Sequence, residues 1–443
     1  MDSFKEGNHH TVEFIHGVSL ETMPGEVVEQ AKICLLDLIG ACLAGRHAKG
    51  AAILMSLAQE QFSGVQEATI IGAGRKTSRV SAALVNGFIA NALDIDDGHR
   101  LCKGHPGSVI FPAILAEAEK SKASGSEFLE ALVIGYEVAI RTGMIMRGHY
   151  GYFHGSGAWG AVGAAAACAS LLGLNYEQTW NALGIAESYA PLAPVMRSVE
   201  SPSMAPKDGV AWGAMAGISA ALLSLRGYTG SPSLLGDPEY NVDVFSLGCV
   251  WQIMHIYFKP YPCCRWAQPS VDAVLDLLRV SNINFREIIC IIIHTFAESA
   301  ALSMEIPCDL ESAEYNMRYP VAVAVVHGEF TPAYLDKAYF QDETVRKIFE
   351  LIEIRMDQDI QEQFPEKCQS RVEIHTQDGS VYDSGLMPAR GDWDESPLSR
   401  DELEAKFLNI TKGIIEHDAA GNLMELVRDF ENRQTNDLIP YLA

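Results

Sequence analysis

The run Asp94-Ile95-Asp96-Asp97-Gly98-His99, followed by Lys103-Gly104-His105-Pro106-Gly107-Ser108, is the densest polar cluster in an otherwise apolar region. Carboxylates and imidazoles at this spacing fit three roles: helix capping in a solvated turn, ligation of a divalent cation, or acid/base work with substrate contact. The D-x-D-D alternation is shorter than a calcium loop, and no H-E-x-x-H accompanies it. Lys207 stands between Pro206 and an apolar run beginning near Val210. A cation gains nothing from the dipole at a helix N-terminus, so a solvated lysine is the ordinary reading there. The segment Phe258-Lys259-Pro260-Tyr261-Pro262-Cys263-Cys264-Arg265 is more pointed. Its prolines fix an extended backbone that projects Lys259 and Arg265 from one short stretch, a frame suited to a carboxylate. Gly155-Ser156-Gly157-Ala158-Trp159-Gly160 satisfies G-x-G-x-x-G. That fingerprint needs a buried strand before it, and Met144 to His154 reads as a glycine-broken polar loop, so no nicotinamide cofactor is expected. The helix it opens could still hold an anion on its free amides.

The elements that must position these groups are mostly helices. Pro24 suits a first helical turn, and Val27, Ala31, Cys34, Leu35 and Leu38 follow at helical spacing. Further helices are expected across 78–93, 108–122, 126–147, 158–173, 176–188, 207–226 and 269–279, with Gly45, Gly125, Gly173 and Gly227 closing segments. After about residue 280 the pattern changes. Ile288 to Ile293 reads as a buried strand, Ile352 to Met356 alternates, and Asp378-Gly379 joins 371–376 to 380–384 as a hairpin with a type I′ turn. Helices are expected at 314–328 and 342–351, and a capping box of Ser399 with Glu402 opens a helix to about Glu416, followed by another at 420–432. The fold class is therefore mainly α with an α+β second domain. Residues 1–267 and 398–443 form the helical domain and 268–397 the α+β domain, with the last helices returning to the first.

Composition narrows the function. The chain has 443 residues, 33 Lys+Arg against 57 Asp+Glu, a net charge of −24 and 48% hydrophobic residues. Such acidity repels phosphate backbones, and no basic run offsets it, so no nucleic-acid partner is expected. Ala158 to Leu174 and Val210 to Leu225 are almost free of charge, but they are short and rich in Ala, Gly and Ser. They read as central helices of a bundle rather than membrane spans. The first residues carry no secretory pattern, and the ten cysteines follow no disulfide or zinc spacing. A cytoplasmic location with reduced thiols is expected.

Taken together, the clusters resemble the MmgE/PrpD superfamily, whose members dehydrate 2-methylcitrate, decarboxylate cis-aconitate or epimerise iminodisuccinate. The matching pieces run almost the full length: ALDIDDGH at 92–99, GHPGSVIFPAILAEAE at 104–119, GYEVAIRTG at 135–143, FHGSGAWGAVGAAAA at 153–167, KPYPCC at 259–264 and RYPVAVAVVHG at 318–328. The resemblance implies a large all-helical domain with a smaller α+β lid domain, a homodimer, and metal-free, cofactor-free chemistry on small di- or tricarboxylates in the cleft between domains. The family's site positions fall on Asp94, His105, His154, Lys207, Lys259 and Tyr319. Two departures stand out: Gly98 where threonine or serine is common, and Gln268 where histidine is common.

In such a site Lys207, Lys259 and Arg265 would stabilise charge building on a carboxylate, with Lys103 and Gln268 as further substrate contacts. His105 and His154 would act as base or acid, Tyr319 would donate a proton from the lid side, and Asp94 would orient a histidine or lysine. The first expectation is a lyase that dehydrates a 2-methylcitrate-like hydroxy acid. Decarboxylation of the cis-aconitate type or epimerisation of a substituted succinate comes second. A catalytically silent oligomer that binds an anionic metabolite is the reading from another class.

Overall fold

The computed structural model describes residues 2–237 and 244–443. Helices dominate up to the Val210–Ser224 segment, and three of them start where the sequence offers a side-chain cap. Ser78 accepts from Ser81 N at the start of Arg79–Asn91, and capping boxes of Ser124 with Glu127 and Asn175 with Gln178 open Gly125–Tyr150 and Tyr176–Tyr189. Ser156–Leu171 lies at the centre, packed on Gly125–Tyr150 and Val210–Ser224. Small residues permit that approach. A Cβ added at Gly217 would lie 2.5 Å from the Ala164 Cβ, so the two central helices meet almost backbone to backbone.

The second unit carries a four-stranded sheet. Ile288–Thr295 pairs in parallel with Ile352–Met356 and antiparallel with Gln369–Thr376, which continues through a hairpin to Val381–Pro388. Ile291, Ile293, Val372 and Ile374 turn inward against Gln268–Ser281 and Arg318–His327, forming a core separate from that of the helical unit. The chain then returns: Phe407, Leu423 and Phe430 join the first core, where Arg400–Thr411 packs on Gly25–Gly45. The mainly α architecture with an α+β second part is as the periodicity indicates. Among the described residues no helix is long and apolar enough to cross a membrane.

Several local expectations are corrected. Met144 to Tyr150 is the end of a helix, not a loop, capped by Gly151 at φ 75°. The element that runs up to Gly155 is therefore the helix Gly125–Tyr150 and not a strand, so the dinucleotide fingerprint stays without its context. The hairpin turn is not type I′, because only Gly379 has positive φ. Gly379 N donates to Thr376 O and Thr376 N to Ser380 O, a type I turn closed by a left-handed glycine. Gly173 and Gly227 do sit in the left-handed region at helix ends, whereas Gly45 remains inside its helix and Gly125 begins one. The helix expected at 314–328 is broken, into Leu310–Glu314 and Arg318–His327.

Candidate active site

The turn from Asp94 to His105 lies between the two units and lines a cavity with Lys103, Asp208, Tyr257, Cys264, Arg265, Tyr315 and Asp392. His105 immediately precedes the Pro106–Ser121 helix, and Pro106 at its first turn fixes where the imidazole points. The ring is held on both edges. Nδ1 donates to Asp97 O at 2.8 Å and lies 3.1 Å from Asp96 Oδ2, while Nε2 lies 3.1 Å from Asp94 Oδ1. Burial would push the imidazole pKa down, but Asp96 and Asp94 overcome it and hold it well above the ordinary histidine value. Asp94 also lies 2.7 Å from Lys259 Nζ. Burial raises its carboxyl pKa, yet Lys259, His105 and Lys207 outweigh that and leave it far below the usual range.

Asp94, Lys103 and Asp208 all have left-handed backbone, with φ of 47°, 55° and 50°. Each such non-glycine residue costs about 1–3 kcal/mol, and strain of this kind gathers where side chains must converge. Asp208 accepts from Ser156 and Ser198 and has its Oδ2 3.9 Å from His105 Nε2. Burial pushes its carboxyl up, against His105.

The cations differ in how committed they are. Lys207 Nζ pairs with Glu314 at 2.5 Å and donates to Ala92 O; burial lowers its pKa, but Glu314 and Asp94 more than restore it. Arg265 is spent on structure, with Asp392 at 2.9 Å, donations to the carbonyls of Arg390 and Ala389, and the Tyr257 ring beneath it. Lys103 is the reverse case. It is half-buried and donates only to Pro365 O, its ammonium lies 4.1 Å from the Phe364 ring centre, and among the described residues no carboxylate lies within ion-pair distance. Burial pulls its pKa down to about 8.

The structure thus brings together Asp94, His105, Lys259, Lys207, Lys103 and Arg265. It places three other residues elsewhere. Tyr319 is buried in the core of the sheet-bearing unit, its hydroxyl donating to Tyr334 O at 2.5 Å. Gln268 begins the Gln268–Ser281 helix and donates to the carbonyls of Tyr261 and Cys263. His154 is buried beside Tyr150 and Tyr152, with neither ring nitrogen hydrogen-bonded, and burial lowers its pKa. None of the three lines the cavity, and Lys207 and Lys259 stand behind its wall as well, Lys259 reaching it through its ion pair with Asp94. Asp208, Glu314, Tyr257, Tyr315 and Asp392 escaped the sequence reading, since no motif ties them to the aspartate run. Asp94, Asp96 and His105 present one ligand atom each within 4.8 Å of one another, the geometry of a cation site. Lys259, 2.7 Å from Asp94, already counters the charge of that carboxylate.

The MmgE/PrpD N-terminal domain model matches residues 9–252 and the C-terminal domain model residues 261–432. Among similar proteins, the cis-aconitate decarboxylase-like protein oryM of Aspergillus oryzae is 26% identical over 97% of this chain and 96% of its own. The cis-aconitate decarboxylase of Aspergillus terreus is 24% identical over 98% and 95%, and that of Homo sapiens 22% over 94% and 90%. With both domain models matched in order across nearly its whole length, the chain belongs to the MmgE/PrpD family and so to a family of lyase-type enzymes.

Proposed function

We propose that this protein is a decarboxylase of a small unsaturated di- or tricarboxylate of the cis-aconitate type. One observation carries the choice over dehydration: the imidazole on the cavity wall lies 3.1 Å from a carboxylate on each side, Asp94 and Asp96, an arrangement that favours its protonated form and suits it to give a proton rather than take one. Dehydration starts with a base that removes a C–H proton. Decarboxylation needs no base. The bond to the departing carboxylate breaks, and its electron pair spreads over the adjacent double bond and onto a remaining carboxylate. His105 then returns one proton to carbon as CO2 leaves. The relatives' activity points the same way.

The chain's own groups have distinct parts. Lys103, without a carboxylate of its own, anchors a substrate carboxylate, and Lys259 and Lys207, behind the cavity wall on Asp94 and Glu314, add positive potential where charge builds during bond breaking. Asp94 positions Lys259 and His105 together. Arg265 shapes the wall instead of binding substrate. Dehydration of a 2-methylcitrate-like substrate is the second reading, favoured by the carboxylate of Asp208 beside His105, which could serve as the base. The expected assembly is a homodimer, which light scattering of the purified protein tests.

The deciding experiment is proton NMR of the protein in deuterated buffer with cis-aconitate, 2-methylcitrate, citrate and substituted succinates. The expected result is CO2 release from cis-aconitate with one deuteron incorporated at carbon. Water loss or addition without CO2 would replace this reading with the dehydratase, and C–H exchange alone would make the protein an epimerase.

A further inference from the structure

Gly98 and Tyr257 face each other across the two-residue strand pair formed by Gly98–His99 and Ile256–Tyr257. The phenol crosses directly over the glycine. A Cβ built on Gly98 would lie 2.3 Å from both Tyr257 Cζ and Tyr257 Oη, so no other residue fits at 98 while Tyr257 keeps its place. The Arg265 guanidinium lies 4.5 Å from the ring centre and is itself tied to Asp392, Ala389 and Arg390. Tyr257 lines the cavity next to Asp94, His105 and Cys264, and its hydroxyl has no hydrogen-bond partner among the described residues. Burial, with Asp94 and Asp392 adding to it and Arg265 opposing, keeps the phenol pKa well above 10. It is therefore a neutral donor across the working pH range. A held ring with an uncommitted donor on the cavity wall is how a protein preorganises a hydrogen bond for charge that appears only during reaction.

We infer that Tyr257 is a further catalytic residue: its hydroxyl donates a hydrogen bond to the substrate oxygen on which negative charge builds, and Gly98 provides the space that lets it reach there. This rests on the decarboxylase reading for the reaction, but the contact itself does not depend on which bond breaks. The side chain missing at 98 is thereby replaced across the strand pair by a hydroxyl from 257.

The test is a cycle of Tyr257→Phe, Gly98→Ala and the double variant, read by kcat and KM for cis-aconitate decarboxylation. Phenylalanine keeps the ring beneath Arg265 and removes only the donor. The expected result is a fall in kcat of about 100-fold for Tyr257→Phe with KM changed by less than about threefold. Gly98→Ala, which displaces the phenol, is expected to fall comparably, and the double variant no further than the lower single one. Turnover of Tyr257→Phe within twofold of wild type, or losses that multiply in the double variant, would overturn the inference. If the wild-type protein turns over nothing in the panel, the decarboxylase reading fails separately. The inference is then read from the tyrosine ultraviolet difference spectrum on titration with cis-aconitate. A signal present in wild type and lost in Tyr257→Phe supports it, and identical spectra or no signal overturn it.

Discussion

A buried imidazole left alone would be neutral at pH 7; His105 is charged because carboxylates flank both nitrogens and Asp94 is in turn held ionised by Lys259. Its raised pKa contributes stability fully present below about pH 6.5 and lost as pH rises through the folded value. For turnover the sign is the same: the acid form persists through neutrality, so kcat should stay flat across about pH 6–8 and fall only well above. Asp94→Asn removes one flanking charge, and the alkaline limb of the kcat profile is expected to move to lower pH, while His105→Gln lowers kcat about 1000-fold. A limb unmoved in Asp94→Asn would show that the imidazole's proton is held by something else. Lys103 titrates separately. Its pKa of about 8 makes the binding cation disappear above that pH, so KM should rise through pH 8 in wild type. Lys103→Met should show a high KM that no longer responds there. Asp94, His105 and Lys259 were legible in sequence because motifs a few residues long carry them. Tyr257, Asp208 and Glu314 were not, since their nearness is made by chain crossings that no local pattern records.

Elements were legible where a cap or an apolar face advertised them. The Ser399 and Glu402 box opens a helix as its spacing indicates, and the isoleucine run at 288–293 is the central parallel partner of the sheet. Lys49–Gln61 was missed because Ala48 before it offers no side-chain cap and few of its residues are buried; Asp2–Gly17 was missed because its sequence is as polar as apolar. Gln268 shows the opposite error. Its place in a family motif suggested substrate contact, whereas its amide holds the carbonyls of Tyr261 and Cys263 at the head of a helix. Gln268→Ala is expected to cost about 1–3 kcal/mol in urea unfolding, because two buried acceptors lose their donor, with kcat/KM per folded molecule almost unchanged. A large kcat loss at unchanged stability would return Gln268 to the chemistry. The close helix crossing makes a further demand: Gly217→Val must force the Ala164 helix away and is expected to destabilise by about 1–3 kcal/mol or more. Gly421→Ala is the control. That glycine lies in the His417–Arg428 helix with open space where a Cβ would stand, so alanine there should stabilise by up to about 1 kcal/mol.

At the scale of the molecule, the helical and sheet-bearing units are joined across the cavity by contacts of unlike kinds. Lys207 to Glu314 is a dry pair, with 5% and 0% of the side chains exposed, whereas Arg100 meets Asp394 at 2.8 Å at the rim, where Asp394 is 31% exposed. Phe258 N also donates to Gly391 O, tying the segment before Lys259 to the chain that follows the Val381–Pro388 strand. Breaking a buried pair from one side strands a charge, whereas a rim pair is refilled by water and screened by salt. Glu314→Gln is therefore expected to lower unfolding free energy by about 3 kcal/mol, since Lys207 keeps its charge with its counter-ion gone. Arg100→Ala should cost about 1 kcal/mol or less, and that difference from wild type should shrink in about 0.5 M salt. Replacing both members of the inner pair, Lys207→Met with Glu314→Leu, should recover much of the loss while abolishing turnover. Equal costs for the inner and rim variants in a urea series would mean that water reaches Lys207 in solution. The cleft would then stand open to solvent without substrate, and the strong local electrostatics that hold His105 charged would be weakened with it.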